Sequence, residues 1–111
     1  VAFSIAIGNH DDHFRNHGFL LSEKGWEWAP AYDINPSNIK TQSLLISRES
    51  NDSSLDILFE AAGDYMISDS VARRIINEVL TAVSQWRMVA NRCAIPVAEQ
   101  QRFAARIIDQ W

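Results

Sequence analysis

The first part of the chain alternates between apolar and polar blocks. Residues 1–7 are mostly apolar, and Phe3 and Ile7 stand four positions apart, as on one face of a helix. We therefore expect the last two turns of a helix that ends near Gly8, although a buried strand of the same length also fits the pattern. Residues 9–17 are polar except for Phe14 and are expected to form a loop with room for one helical turn.

Two short apolar runs follow, and their spacing predicts a small β-hairpin. The runs are Gly18–Ser22 and Trp26–Trp28, and Glu23–Gly25 connects them. Because Trp26 and Trp28 alternate with a charged residue, we expect both to lie on one buried face. That pattern favours a role for the two tryptophans in packing rather than in stacking on a ligand.

After the hairpin, the sequence predicts irregular structure. Residues 31–37 are expected to form a second loop, closed by the turn-forming residues Asn35, Pro36 and Ser37. Residues 43–46 are apolar enough for a further short strand or for an extended segment.

The second half of the chain has the periodicity of helices. Apolar residues at positions i, i+3, i+4 and i+7 form a core-facing stripe. They are Leu55, Leu58, Phe59 and Ala62. Ser53 or Ser54 is placed to cap the start of this helix, and Gly63 to occupy a left-handed position after its end.

A long helix is predicted from about residue 69 to about residue 92, and a last helix near the C-terminus. The stripe of the long helix consists of Val71, Ile75, Val79, Val83, Trp86 and Ala90, broadened by Ile76 and Leu80. Pro96 suits the first turn of the last helix, in which Phe103, Ile107 and Trp111 stand at four-residue steps. The predicted fold is mainly α, a short β-hairpin plus a helical bundle over residues 54–111.

Length and composition narrow the class of protein. The chain has 111 residues, which suits a single domain with one modest core. Its formal net charge of −4 argues against direct nucleic-acid binding or a membrane-surface role. Cys93 is the only cysteine, so no disulfide framework and no cysteine-based zinc site is expected. We expect a cytoplasmic location, since no run resembles a signal peptide or a membrane span.

The polar block carries the candidate chemistry. Asp11 and Asn16 stand in the relation D-x-x-x-x-N, and Asp33 follows in the second loop. In protein kinases, an Asp in this relation accepts the proton of the substrate hydroxyl, and the Asn and a later Asp hold Mg²⁺. The pattern therefore predicts a phosphotransferase with Asp11 as general base and with Asn16 and Asp33 as metal ligands.

A rival interpretation rests on the histidines. His10, His13 and His17, with Asp11 or Asp12, have the residue types and spacing of a transition-metal site, as in a metal-dependent hydrolase. The plainer alternative has His13 bonded to the loop backbone and the other two histidines solvated.

Two roles remain open for Arg15 in the polar block. It is placed either to contact a phosphate or to pair with Asp12 at the surface.

A third class of function is a non-catalytic interaction module that uses the helical bundle to hold a partner. In that case Asp11 and Asp33 could be replaced without loss of function.

These motifs resemble those of one family. Ile7–Leu20 is similar to the catalytic loop of the HipA-type serine/threonine kinase toxins, and Trp28–Ser37 is similar to their metal-binding segment, a Pro-x-Tyr-Asp followed by a short turn. The resemblance implies a protein serine/threonine kinase that uses ATP and Mg²⁺. It implies that Asp11 is the catalytic base and that Asn16 and Asp33 are Mg²⁺ ligands. It also places His13, Phe14, Arg15 and Tyr32 in contact with ATP.

The resemblance also implies partners. The family phosphorylates a protein Ser or Thr, glutamyl-tRNA synthetase in the known case, and a HipB-like DNA-binding antitoxin restrains it. The expected protein substrate is therefore an aminoacyl-tRNA synthetase.

The chain departs from the family in one respect. A kinase also needs a loop over the ATP phosphates and a Lys that pairs with them. The lysines here, Lys24 and Lys40, both follow the catalytic loop, and no glycine-rich phosphate loop is found. We therefore interpret residues 1–111 as a truncated HipA-like C-terminal kinase domain, with its catalytic and metal loops at residues 8–37. We expect the isolated piece to be inactive and to self-associate.

Overall fold

A computed structural model describes residues 1–37, 39, 41–108 and 110–111 of the chain. Lys40, one of the two lysines considered above, lies outside the described residues. In chain order the elements are helix α1 (Ala2–Ile7), strands β1 (Phe19–Ser22) and β2 (Gly25–Trp28), and helices α2 (Leu55–Glu60), α3 (Asp69–Val83), α4 (Trp86–Arg92) and α5 (Val97–Ala104). The mainly α fold with a hairpin and several helices is confirmed. None of the described helices is long and apolar enough to cross a membrane.

Helix α1 forms and ends as its sequence predicts. Gly8 follows it in the left-handed conformation, with φ of 70°, and the Gly8 N–H donates to the carbonyl of Ile5 at 3.1 Å. Glycine is required here for space as well as for conformation. A Cβ on Gly8 would lie 3.0 Å from the carbonyl oxygen of Arg106.

The core lies between α1, α2 and α3. It buries Ala2, Ile5, Ala6, Ile46, Leu55, Ile76, Leu80 and Val83. The chain after α5 also packs on this core through Ile107 and Ile108, and the Ile108 N–H donates to the carbonyl of Ala6 at 2.7 Å. The catalytic-loop candidate therefore begins from a helix whose inner face is buried in the core.

The hairpin is present, but the prediction of a buried face is wrong. Phe19 pairs with Trp28 and Leu21 with Trp26, so these four side chains share one face. That face is exposed, since 71% of Trp26 and 66% of Trp28 remain accessible. Two strands cannot bury a face by themselves, and the hairpin has at most sparse contact with any helix of the described chain. Phe19 and Trp28 instead stack on each other, with ring centroids 4.3 Å apart.

The segment after the second loop is not a strand. Residues 43–46 form bends, and a single isolated bridge joins Thr41 to Asp52 nearby. The Gln42 N–H donates to the carbonyl of Asn51 at 2.8 Å, which folds this segment back on itself.

Helix α2 begins as predicted and ends differently. The Ser54 hydroxyl accepts a hydrogen bond from the Ile57 N–H, which confirms the cap. Gly63 is not left-handed. The chain continues through a 3₁₀ turn at Ala61–Gly63, and Met66 adopts the positive φ instead.

The predicted long helix is two helices. It breaks at Ser84 and Gln85, where the Ser84 hydroxyl donates to the carbonyl of Thr81 and the Thr81 hydroxyl donates to that of Asn77. Such side-chain bonds to preceding carbonyls bend a helix.

The centre of the buried face of α3 is rotated by one residue from the predicted one, towards Ile76 and Leu80, which the prediction placed at the edge of the stripe. Its buried residues are Ala72, Ile76, Leu80 and Val83, whereas Ile75 is 37% exposed. The predicted stripe left out Ala72, which is buried on α3 together with Ile76 and Leu80.

The last helix ends earlier than predicted. Helix α5 stops at Ala104, so Phe103 lies on it but Ile107 and Trp111 do not. The bond from Ile108 to α1 takes the chain out of the helix. Trp111 packs against Phe59, with ring centroids 5.4 Å apart.

Candidate active site

The two predicted loops meet beside the C-terminus of α1. The Ser37 N–H donates to the carbonyl of Gly8 at 2.8 Å, which joins the end of the second loop to the start of the first. Tyr32 makes a second connection, since its hydroxyl donates to the carbonyl of Arg15 at 2.7 Å. The loops are therefore one structural unit, although 17 residues separate Arg15 from Tyr32.

Asn16 and Asp33 lie in contact at the centre of this unit. The Asn16 amide nitrogen Nδ2 donates to Asp33 Oδ2 at 2.9 Å, and Asn35 Nδ2 donates to the other carboxylate oxygen at 3.1 Å. Asn16 ends a 3₁₀ turn that begins at Phe14. Asp33 has φ of 54°, a left-handed conformation that residues other than glycine rarely adopt.

The Asn16–Asp33 pair fits a hard divalent cation. Asn16 Oδ1 is buried and accepts no hydrogen bond from the described residues. A buried oxygen without a partner is uncommon and calls for an explanation such as an ion. An amide oxygen beside a carboxylate is the type of donor set that Mg²⁺ takes, with waters and phosphates completing the shell.

Asp11 is exposed, and its side chain contacts a third segment of the chain. Its Oδ1 accepts a hydrogen bond from the Ser43 hydroxyl at 3.2 Å. The Ser43 N–H also donates to the carbonyl of His10 at 2.9 Å, so the segment after the second loop is attached to the first. An exposed carboxylate on a backbone fixed in this way can reach a hydroxyl group from solvent.

Asp12 is buried and joins α1 to the far end of the loop. Its Oδ2 accepts from the Ser4 hydroxyl at 2.7 Å, and its Oδ1 lies 2.8 Å from Nε2 of His17. Asp12 follows Asp11 and His17 follows Asn16. The Asp12–His17 contact therefore joins the two ends of the D-x-x-x-x-N loop. We call this contact the loop clasp. The prediction that Asp12 pairs with Arg15 is wrong. His17 is exposed, as the plainer alternative has it, and it also contacts Asp12.

The histidines do not form the predicted metal site. His17 is taken by Asp12, and His10 Nδ1 lies 3.3 Å from the Ser37 hydroxyl. His13 Nδ1 is buried without a hydrogen-bond partner among the described residues, so the alternative that it bonds to the loop backbone is not supported either. Over those same residues, no group of three His, Cys, Asp or Glu side chains could hold a metal ion.

The remaining residues predicted to contact ATP form the exposed rim of the loops. Phe14 is 79% exposed, and Arg15 and Tyr32 are also exposed. An open cavity of about 1220 Å³ lies beside Phe14. Its lining includes Phe14, His17, Phe19, Trp28, Leu45 and Tyr65.

Sequence reasoning missed three serines of this site. Ser4, Ser37 and Ser43 bond to Asp12, His10 and Asp11 across 8, 27 and 32 residues of chain, respectively. Serine is common in turns and loops, and no periodic pattern marks these contacts. Only the folded chain identifies them.

Comparison with known families gives one result. The model of the HipA-like C-terminal domain matches residues 1–87, which include both loops, the hairpin, α2 and α3. The search of curated proteins and the search of solved structures each found no match.

Proposed function

Because the chain belongs to the family of HipA-like C-terminal domains, we propose that it is the catalytic-loop part of a protein serine/threonine kinase. In this proposal the kinase transfers the γ-phosphate of ATP to a protein hydroxyl. The observation that carries the proposal is the contact between Asn16 and Asp33, with the unpartnered Asn16 oxygen beside it. This pair belongs to the same loop unit as Asp11. Along the sequence, Asp11, Asn16 and Asp33 follow the order of general base, first metal ligand and second metal ligand that is found in kinases.

Each residue then has a defined task. Asn16 Oδ1 and the Asp33 carboxylate would hold Mg²⁺, and the bound ion would supply positive charge to neutralise the phosphates. The left-handed backbone of Asp33 and the hydrogen bond from Asn35 orient that carboxylate. Asp11 accepts the proton of the acceptor hydroxyl, for which its exposure and fixed backbone suit it.

The rim residues support nucleotide binding in this proposal. The guanidinium of Arg15 carries the positive charge that phosphates attract, and it is exposed on the same loop. Tyr32 fixes the backbone of Arg15 through its hydroxyl. Phe14 and His13 lie on the same turn and offer rings to the nucleotide.

The family also suggests the biological setting. We propose that the protein carrying this domain is the toxin of a toxin–antitoxin pair, restrained by a HipB-like DNA-binding antitoxin, and that an aminoacyl-tRNA synthetase is its substrate. A phosphate-binding loop and a phosphate-pairing Lys are further requirements of kinases. The natural protein that contains these 111 residues, at its full length, is therefore the right material for the assay.

The test is transfer of label from γ-labelled ATP to protein in the presence of Mg²⁺. Asp11→Asn removes the base while keeping the size of the side chain, and we expect it to lower the transfer rate about 10²–10⁴-fold. Asp52→Asn is the matched control, since Asp52 is also exposed but lies outside both loops. We expect it to transfer label at the wild-type rate.

Two results would count against the proposal. Wild-type transfer by Asp11→Asn would show that this residue is not the base. A protein that neither binds ATP nor transfers label would instead favour the non-catalytic interaction module.

A further inference from the structure

The loop clasp bridges the segment between the proposed base and the first proposed metal ligand. Asp11 and Asn16 are five positions apart in the sequence, and five residues of extended chain reach about 17 Å. Consecutive Cα atoms are only about 3.8 Å apart, and the clasp residues are the next neighbours of these two. The 2.8 Å contact between Asp12 Oδ1 and His17 Nε2 therefore limits how far the base and the ligand can separate.

The clasp is anchored to the core through Asp12. Its second carboxylate oxygen accepts from the Ser4 hydroxyl at 2.7 Å, and Ser4 lies on the buried face of α1. The Ser4 carbonyl also accepts from the Asn9 N–H at 2.8 Å, at the start of the loop. An ionised carboxylate only accepts hydrogen bonds, and Asp12 has one donor at each oxygen. Asp12 therefore fixes the loop relative to α1.

The base and the ligand are each bonded to a different segment of the chain. Asp11 accepts from the Ser43 hydroxyl, whereas Asn16 donates to Asp33. Neither of these two bonds by itself sets the distance from Asp11 to Asn16. The clasp connects the two positions directly, from one end of the loop to the other.

We propose that Asp12 and His17 are positioning residues that hold Asp11 in place relative to Asn16 for phosphate transfer; this rests on the kinase function proposed above. Kinases gain their rate almost entirely from positioning and electrostatic stabilisation. A displacement of about 1 Å at the reacting groups can cost about 10²-fold in rate. The bond from Asn16 to Asp33 does not pass through the clasp. Loss of the clasp should therefore slow transfer and leave nucleotide binding nearly unchanged.

Two substitutions of His17 separate its hydrogen bond from its packing. His17→Phe keeps a ring beside Trp28, whose centroid is 6.1 Å from that of His17, but it cannot donate to Asp12. We expect its transfer rate at saturating ATP to fall about 10–10²-fold. His17→Gln supplies an amide N–H of similar reach, and we expect a rate within about threefold of the wild type. A role in packing alone would give the opposite order and would overturn the inference.

The assay uses the full-length protein that contains this chain, with γ-labelled ATP, Mg²⁺ and a mixture of aminoacyl-tRNA synthetases as acceptors. Calorimetry with a non-hydrolysable ATP analogue and Mg²⁺ then separates positioning from folding. We expect His17→Phe to bind the analogue with the wild-type stoichiometry and within about threefold of the wild-type affinity. A loss of stoichiometry that matches the loss of transfer would indicate unfolded protein. That result would reduce the clasp to a structural contact and overturn the inference.

A double-mutant cycle connects the clasp to the base. Residues that act as a unit have non-additive effects on rate. In an Asp11→Asn background we therefore expect His17→Phe to lower the remaining transfer by less than about threefold. The same loss in both backgrounds would show that the clasp does not act through Asp11.

The remaining outcomes separate this inference from the function on which it rests. Wild-type transfer by His17→Phe would overturn the inference and leave the kinase proposal standing. No transfer of label to any protein by the wild type would overturn both.

Discussion

The loops of residues 8–37 and the helices of residues 55–104 are stabilised by different interactions. The helices are held by apolar packing, with Ile76 and Leu80 of α3 against α1. The loops are held by hydrogen bonds between polar side chains, such as Asn16 to Asp33 and Ser4 to Asp12. The stability of the helical region depends on which face of each helix is buried. The stability of the loop region depends on individual hydrogen bonds between polar side chains. Substitutions should therefore affect the two regions in different ways.

The largest effect on stability is expected in the helical region. Ile76 is 2% exposed, and its neighbour Ile75 is 37% exposed. Ile76→Ala should lower the free energy of unfolding by about 2–5 kcal/mol, because it removes buried methyl groups and leaves a cavity. The matched change Ile75→Ala should cost less than about 1 kcal/mol. Urea unfolding of both variants measures the difference, and equal losses would contradict the observed rotation of α3.

A smaller effect is expected at the loop clasp. Asp12→Ala leaves the Ser4 hydroxyl and the His17 N–H without their acceptor, so we expect a loss of about 1–3 kcal/mol in the free energy of unfolding. Asp52→Ala makes the same change at an exposed aspartate and should stay within about 0.5 kcal/mol of the wild type. A double-mutant cycle of Asp12→Ala with His17→Ala isolates the clasp, and strictly additive losses would argue against it.

The hairpin should tolerate the loss of Trp26, although a large aromatic residue usually contributes to a core. Trp26 is 71% exposed, so Trp26→Ala should change the free energy of unfolding by less than about 0.5 kcal/mol. Trp28→Ala should cost more, because it also removes the stacking on Phe19. Thermal melts of the two variants compare them directly, and a larger loss at Trp26 would restore the prediction of a buried face.

The smallest effect concerns pH. Burial, and secondly the charge of Asp64, raise the pKa of Tyr65 above the ordinary value of 10.0. The folded chain therefore holds the phenolic proton more tightly than the unfolded chain. The resulting stability is fully present below the unfolded pKa and is lost as the pH rises through the folded pKa.

Replacing the tyrosine tests this pH dependence. Tyr65→Phe removes the ionisable group together with its 2.9 Å hydrogen bond to the carbonyl of Ile46. It should be less stable than the wild type near neutral pH, and its stability should fall less steeply above pH 10. Unfolding measured over that range would contradict this account if both proteins lost stability in parallel.

Local signals in the sequence predicted much of the fold. The helix ending at Gly8, the Ser54 cap and the hairpin all depend on neighbouring residues, which a sequence displays directly. The break after Val83, the rotation of α3 and the exposure of Trp26 depend on packing between distant elements. Periodicity shows that a helix has an apolar face, but it does not show which residue lies at the centre of that face.

The residues of the candidate site also fall into those that the sequence could predict and those that it could not. Asp11, Asn16 and Asp33 could be found from their spacing and from a family resemblance, and the folded chain brings Asn16 and Asp33 together. The serines that bond to Asp11 and Asp12 could not be found, because serine is common and these contacts span long stretches of chain. The predicted histidine cluster failed because each histidine meets a different environment.

The most direct test of the account separates the metal-binding pair from the base. Calorimetry of the full-length protein that carries this domain, with a non-hydrolysable ATP analogue and Mg²⁺, would compare the wild type with Asp33→Asn and Asp11→Asn. The account predicts that Asp33→Asn weakens Mg²⁺-dependent binding at least about tenfold, which is about 1.4 kcal/mol, whereas Asp11→Asn binds within about twofold of the wild type. Wild-type affinity in Asp33→Asn would contradict the assignment of the Asn16–Asp33 pair as the magnesium site.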